Sequence, residues 1–229
     1  MKNIYIVSGN KGGVGKSWVA LTLVEYLHRS GKTVHIIETD DGNPDVLTPF
    51  RRHATDSVSG TTIRMQDGEA VEQFIDAVSQ SDADCIVMNA AAGDNKNLGA
   101  LDVFYSNIEA LECEMRILWV CNAEKDGIVA LKSFLDATNA DMSRITVVMN
   151  KITQQDESKF GYLTTSLKES IDAAGGNEMY FPVLPARIAT QMRDGKETFA
   201  FAAEKNVTNR ICAEHFLKNA FNAFERAGV

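Results

Sequence analysis

The stretch Gly9–Ser17 reads G-N-K-G-G-V-G-K-S and directly follows the apolar run Ile4-Tyr5-Ile6-Val7. A β-branched and aromatic run, then glycines, then Val19, Leu21, Leu23, Val24 and Leu27 at helical spacing predicts strand, loop and helix in that order. Glycines at 12, 13 and 15 let the backbone bend tightly and point several N–H groups into one concavity. The N-terminus of the next helix adds its partial positive charge there, so the loop is built to hold phosphates. Lys16 then reaches the β/γ-phosphates and the Ser17 hydroxyl can ligate a magnesium ion. In the pattern G-x-x-x-x-G-K-[ST] the first glycine falls at position 10, which here is Asn10. A plain glycine-rich turn with solvated lysines is the competing account, and the strand–loop–helix context weighs against it.

At 229 residues the chain suits one α/β domain with a large core and is short for two, so residues 1–229 are expected to form a single domain. Apolar residues make up 45% and charged residues 24%, an ordinary soluble balance. No apolar run reaches the ~18 residues that span a bilayer, so neither membrane insertion nor export is expected. The four cysteines are scattered with no C-x-x-C pair, and Cys85 and Cys121 lie in apolar runs. They read as buried small hydrophobes in a reducing, cytoplasmic setting. A net charge of −8 argues against diffuse nucleic-acid binding over the whole surface. Two local basic groups remain, Arg51-Arg52-His53 and Arg187 with Arg193 and Lys196, for which solvated surface charge is the plainer account.

Along the chain, a helix is expected over Lys16–Arg29, closed by Ser30-Gly31, and a second strand over Thr33–Ile37. The acidic stretch Glu38–Asp45 follows. Ligands of an open parallel sheet sit at the carboxyl ends of its strands, so this stretch faces the phosphate loop. Asp40 there suits water positioning or metal ligation, against a solvated turn as the alternative. Further strands are expected at Thr61–Met65, Cys85–Met88, Arg116–Cys121, Ile145–Met149 and Met179–Leu184. Helices are expected at Asp67–Ser79, Leu98–Leu111, through Ile128–Leu135, at Ser158–Ala174 and at Asn206–Ala227. The last places Ile211, Phe216, Leu217, Ala220, Phe221 and Phe224 on an apolar face. Its polar face mixes Lys218 and Arg226 with Glu214 and Glu225, so it is expected to pack on the domain rather than grip a membrane. The alternation predicts an α/β fold: a mostly parallel twisted sheet with helices on both faces, three layers α/β/α.

Lysines at both ends of the loop, Lys11 and Lys16, resemble the deviant Walker A motif of the ParA/MinD family of ATPases. That resemblance implies a P-loop fold, ATP and Mg²⁺ as ligands, and a homodimer closed by ATP with Lys11 reaching the partner's nucleotide. It implies a nucleotide shell of Gly12, Gly13, Val14, Gly15, Lys16, Ser17 and Trp18, with Asn150 at a strand end reading adenine and Pro185 and Arg187 beside the base. Thr153, where guanine-binding proteins carry an aspartate, argues against guanine. Ser17 and Asp40 would hold the metal, and Lys11, Lys16 and Asp40 would carry hydrolysis. Asp40 matches the second acid of the family's acidic-x-Asp pattern, and Glu38 stands where aspartate is usual. The strand end after Cys85–Met88 resembles the family's Walker B and switch region, with Gly93 in place but Asn89 where an aspartate is expected. Either another acid (Asp40, Asp84 or Asp94) compensates, or hydrolysis and metal affinity are weak.

By size the chain is similar to short plasmid-partition and plasmid-stability members, which implies DNA or protein cargo handled through an adaptor, with direct DNA binding left open. Two alternatives stand beside this. One is an ATP-dependent ligase of the dethiobiotin synthetase type on the same fold; the other is a nucleotide-binding module with lost or weak catalysis. An electron-transfer ATPase is disfavoured by the cysteine positions.

Overall fold

The computed structural model describes residues 1–9, 11–40, 42–53, 55–64, 69–91, 111–138, 140–152 and 155–229. Strand β1 (Lys2–Ser8) alternates Tyr5 and Val7 toward one face with Ile4 and Ile6 toward the other, the period-two pattern of a strand buried on both sides. It leads through the glycine loop into α1 (Lys16–Arg29) and then β2 (Val34–Glu38). Next come α2 (Leu47–Arg52), β3 (Val58–Thr62), α3 (Ala70–Gln80) and β4 (Cys85–Asn89). The second half runs β5 (Cys113–Cys121), α4 (Asp126–Thr138), β6 (Ile145–Asn150), α5 (Ser166–Ala174) and β7 (Asn177–Phe181). It ends with α6 (Ala186–Gly195), α7 (Phe199–Glu204) and α8 (Val207–Arg226).

The described strands form one sheet in the order β3-β2-β4-β1-β5-β6-β7, with every pairing parallel. Two apolar cores cover its faces. One joins α1, α2, α6, α7 and α8 to the sheet; the other joins α3, α4 and α5. The expected α/β layering is therefore what the chain adopts, and all seven C-terminal strand ends share one edge. β1 lies between β4 and β5, so the loop after it opens where the chain switches direction across the sheet, the ligand position of such folds.

Several boundaries differ from expectation. The third strand covers Val58–Thr62 rather than starting at Thr61, and Met65 lies outside the described residues. Gly60, which reads as a turn residue, sits in the strand because a Cβ there would meet Leu47 Cδ1 at 2.5 Å and the Ile36 carbonyl at 2.6 Å. Its bare backbone lets α2 pack close. The expected helix over Ser158–Ala174 is helical only from Ser166; before it lie 3₁₀ turns at Glu157–Lys159 and Gly161–Thr164. Asp156 and Thr165 each cap a turn with a side-chain oxygen, which breaks the run, while Phe160 and Tyr162 are buried beneath it.

β7 begins two residues earlier than expected and stops before Pro182, which has no N–H to give β6. On α8 the buried face is Ala213, Phe216, Leu217, Ala220 and Phe224, and Ile211 is 64% exposed rather than part of it. The helix packs against β7, α1 and α7 as expected of a domain helix. No described helix is long and apolar enough to cross a membrane. The expected helix at Leu98–Leu111 falls almost wholly within 92–110, outside the described residues, as do Gly93 and Asp94.

Candidate nucleotide site

The glycine loop meets the phosphate-cradle requirement at two positions. Gly13 and Gly15 have φ of +81° and +97°, a region closed to most side chains. At Gly15 there is also no room: an added Cβ would sit 2.1 Å from Asn150 Nδ2. That amide donates to the Val14 carbonyl at 2.9 Å, and its oxygen accepts from the Ile152 N–H at 3.1 Å. Asn150, expected at the base, is thus 2% exposed and braces the loop from beneath, with one amide N–H not engaged by these bonds. Lys16 is buried and donates to the Lys11 carbonyl at 3.1 Å, which folds its ammonium back under the loop.

A cavity of about 470 Å³ opens beside this loop. Gly12, Gly13, Gly15, Lys16, Ser17 and Trp18 form one wall. Asp40, Asn43 and Asp45 after β2 form another, and Asn89 at the end of β4 with Ala90 and Ala91 after it closes the base. Sequence reasoning placed Asp40 opposite Lys16 and Ser17, and the structure brings them together. Asp40 accepts the Asn43 N–H at 3.0 Å, which fixes the turn it sits on. Val14 is buried behind the wall. Pro185 and Arg187 do not line the cavity: Pro185 precedes α6 and Arg187 is exposed in its first turn. The same helix and its end instead contribute Met192, Arg193 and Lys196, and Lys196 pairs with Asp45 at 2.6 Å. A larger groove of about 700 Å³ runs between β3 and α3, but no lysine or arginine among the described residues lines it and it lies away from the glycine loop.

Glu38 is the residue whose importance the sequence hid. It is fully buried, and its carboxylate accepts from Asn89 Nδ2 at 2.5 Å and from the backbone N–H groups of Val46 and Leu47 at 3.0 and 3.3 Å. Burial pushes its carboxyl up to about 7, against the lowering effect of those hydrogen bonds. Asn89 is 3% exposed, and its Oδ1 is buried without a hydrogen-bond partner among the described residues. Of the acids expected to compensate for Asn89, Asp84 does not reach it. Asp84 precedes β4, at the opposite end of that strand, where it holds Thr33.

Lys11 is partly exposed, and its ammonium pairs with Glu124 and, at 3.4 Å, with Asp126. The hydrogen bond with Glu124 holds that ammonium above the ordinary lysine range. In the other basic group, Arg51 donates to the Gly60 carbonyl at 3.0 Å, Arg52 to the Gly195 carbonyl, and His53 stacks on Phe201. These side chains serve the fold.

A model described as the CobQ/CobB/MinD/ParA nucleotide binding domain matches residues 5–197. The chain belongs to this family. Protein MobD of Acidithiobacillus ferrooxidans is 29% identical over 206 residues, covering 89% of this chain and 88% of its own. The cell division protein MinD of Aquifex aeolicus superposes with a TM-score of 0.56 over 96% of both chains at 19% identity. Its structure as a MinC:MinD complex does so equally, over 96% and 95% at 16% identity. A nucleotide-binding protein of Archaeoglobus fulgidus in complex with ADP gives 0.54 over 84% and 86% at 13% identity. At these identities the structural likeness speaks for the fold.

For a MinD/ParA-type domain the residues present fit a nucleotide and its cation. Gly13 and Gly15 hold backbone angles that side chains rarely adopt, Lys16 supplies positive charge at the loop, and Ser17 and Asp40 offer oxygen ligands of the kind magnesium takes. The orphaned oxygen of Asn89, buried on a residue that lines the same cavity, is an acceptor of the kind that the water shell of such a cation needs.

Proposed function

We propose that this chain is a single-domain, ATP-binding and ATP-hydrolysing switch that dimerises on ATP. The observation that carries this reading is the cavity in which the glycine loop, Lys16, Ser17 and Asp40 converge. Main-chain N–H groups and Lys16 take the phosphate oxygens, the Ser17 hydroxyl and Asp40 hold Mg²⁺, and Asp40 orients the attacking water. Bound magnesium supplies charge neutralisation at the β- and γ-phosphates. The Asn150 brace keeps the loop shape, and its remaining N–H is available to a base edge.

Lys11 sits at the loop's outer end, and among the described residues its ammonium pairs with exposed carboxylates of its own chain, which it can exchange for a partner subunit's nucleotide. Likeness to MinD, which has been solved with MinC, supports an adaptor protein as a partner. Likeness to Protein MobD supports a plasmid-related setting, in which the cargo is DNA or a protein complex. Among the described residues no lysine or arginine lines the groove at β3 and α3, which therefore lends no support to a ligase with a second pocket for a small acid.

Mass in solution, measured with ATP and with ADP, tests the switch. A dimer with ATP alone, lost in Lys11→Ala, is expected; a monomer in both nucleotides, in wild type and Asp40→Ala alike, overturns it. A second reading, binding with weak hydrolysis, is favoured by the neutral Asn89 at the strand end. Phosphate release no faster than the uncatalysed background, in a chain that binds ATP, would select it.

A further inference from the structure

Glu38 and Asn89 are register partners at the C-terminal ends of β2 and β4. Both side chains turn to the α1 face of the sheet, because Ile36 and Val87, two residues earlier on each strand, pack there. One Glu38 oxygen accepts the Asn89 Nδ2–H, and the other accepts the N–H groups of Val46 and Leu47. Both Glu38 oxygens accept in this arrangement, so the nitrogen end of the amide is turned toward Glu38 and Oδ1 is the end left over. That oxygen is buried, has no partner among the described residues, and belongs to a residue lining the cavity with Lys16, Ser17 and Asp40.

A buried acceptor without a donor costs free energy unless a ligand completes it. Phosphate oxygens cannot, since they also accept. The partner that the described residues leave out is an O–H or N–H group, and beside a phosphate loop water polarised by the cation that accompanies the triphosphate can supply it.

We propose that Glu38 is a positioning residue that, by holding the Asn89 amide nitrogen, aims the amide oxygen at a water of the nucleotide-bound cation. This deepens the ATP-switch reading and rests on it. The acid expected at the end of this strand is here set one strand away, at Glu38. A neutral acceptor faces the ligand, and the carboxylate stands behind it on the first residues of α2.

The experiment measures the ATP dissociation constant of the full chain with Mg²⁺ and with EDTA, alongside thermal unfolding, for wild type, E38Q, N89D and E38Q/N89D. In E38Q the new amide accepts from Val46 and Leu47 with its oxygen and so presents its NH₂ to Asn89. The Asn89 amide then turns round and aims a donor at the cavity. The ratio of the two constants is expected to fall severalfold while Tm holds. N89D sets two carboxylates against each other and lowers Tm. E38Q/N89D restores complementarity with donor and acceptor exchanged, recovers Tm and moves the charge into the cavity. There the magnesium-dependent ratio rises roughly tenfold, since a charge-assisted contact replaces a neutral one.

A merely structural pair would recover Tm in the double variant with the ratio unchanged. An unchanged ratio in E38Q/N89D therefore overturns the proposal even if E38Q alone proves too unstable to measure. Wild type that binds no ATP at all removes the ATP-switch reading as well; wild type that binds while the ratio stays constant across the variants removes this inference only.

Discussion

Gly15 combines a left-handed backbone with the absence of space for a Cβ beside Asn150. Gly15→Ala is therefore expected to lower stability by about 2 kcal/mol or more and to abolish nucleotide binding, read by denaturant unfolding and by calorimetric titration with ATP. Binding at wild-type strength would mean that the loop is not the cradle. Glu38 makes a pH prediction. Its folded-state pKa of about 7 lies above the ordinary 4.5, so the folded chain holds a proton that the unfolded chain releases between those values. Its contribution is most favourable below pH 4.5 and is lost as pH rises toward 7, by an amount on the order of a few kcal/mol. Tm profiles between pH 4.5 and 8 should show this fall in wild type and a flatter course in Glu38→Gln. The glycine loop, Lys16, Ser17 and Asp40 could be read from local order because each follows a strand within a few residues. The Glu38–Asn89 pair could not: the two lie 51 positions apart and meet only through strand register.

Among the elements, the terminal helix α8 was legible as a packed helix, but its face was misjudged at Ile211. Apolar residues nearly surround it, and only contact with β7 and α1 decides which stripe is buried. Phe224→Ala, at a fully buried site between Tyr26 and Phe181, is expected to cost about 3–5 kcal/mol in urea unfolding, while Ile211→Ala changes little. Equal losses at the two sites would contradict the packing described. The 3₁₀ turns before α5 escaped the sequence reading for a related reason. The expected helix runs unbroken from Ser158 through Phe160 and Tyr162, whereas capping by Asp156 and Thr165 divides the segment. At β3, propensity favoured the threonine-rich run over Gly60, and the close approach of Leu47 reversed that preference.

For the whole molecule, the exposed pairing of Lys11 with Glu124 and Asp126 connects the loop after β1 to the start of α4. If Lys11 leaves these carboxylates for a partner subunit, Glu124→Ala should lower the protein concentration needed for the ATP dimer while leaving Tm and monomer affinity unchanged. Light scattering across a dilution series reads this; a dimer curve identical to wild type would show that the pairing does not oppose assembly. The placing of β1 also has a consequence for synthesis. This strand is made before either of its neighbours, and both its edges are covered only after β4 and then β5 have emerged. Until β5 has been made, its run of buried aliphatic side chains lacks one of the two strands it lies between, so nascent chains halted before Cys113 should be open to protease and to holding chaperones at β1.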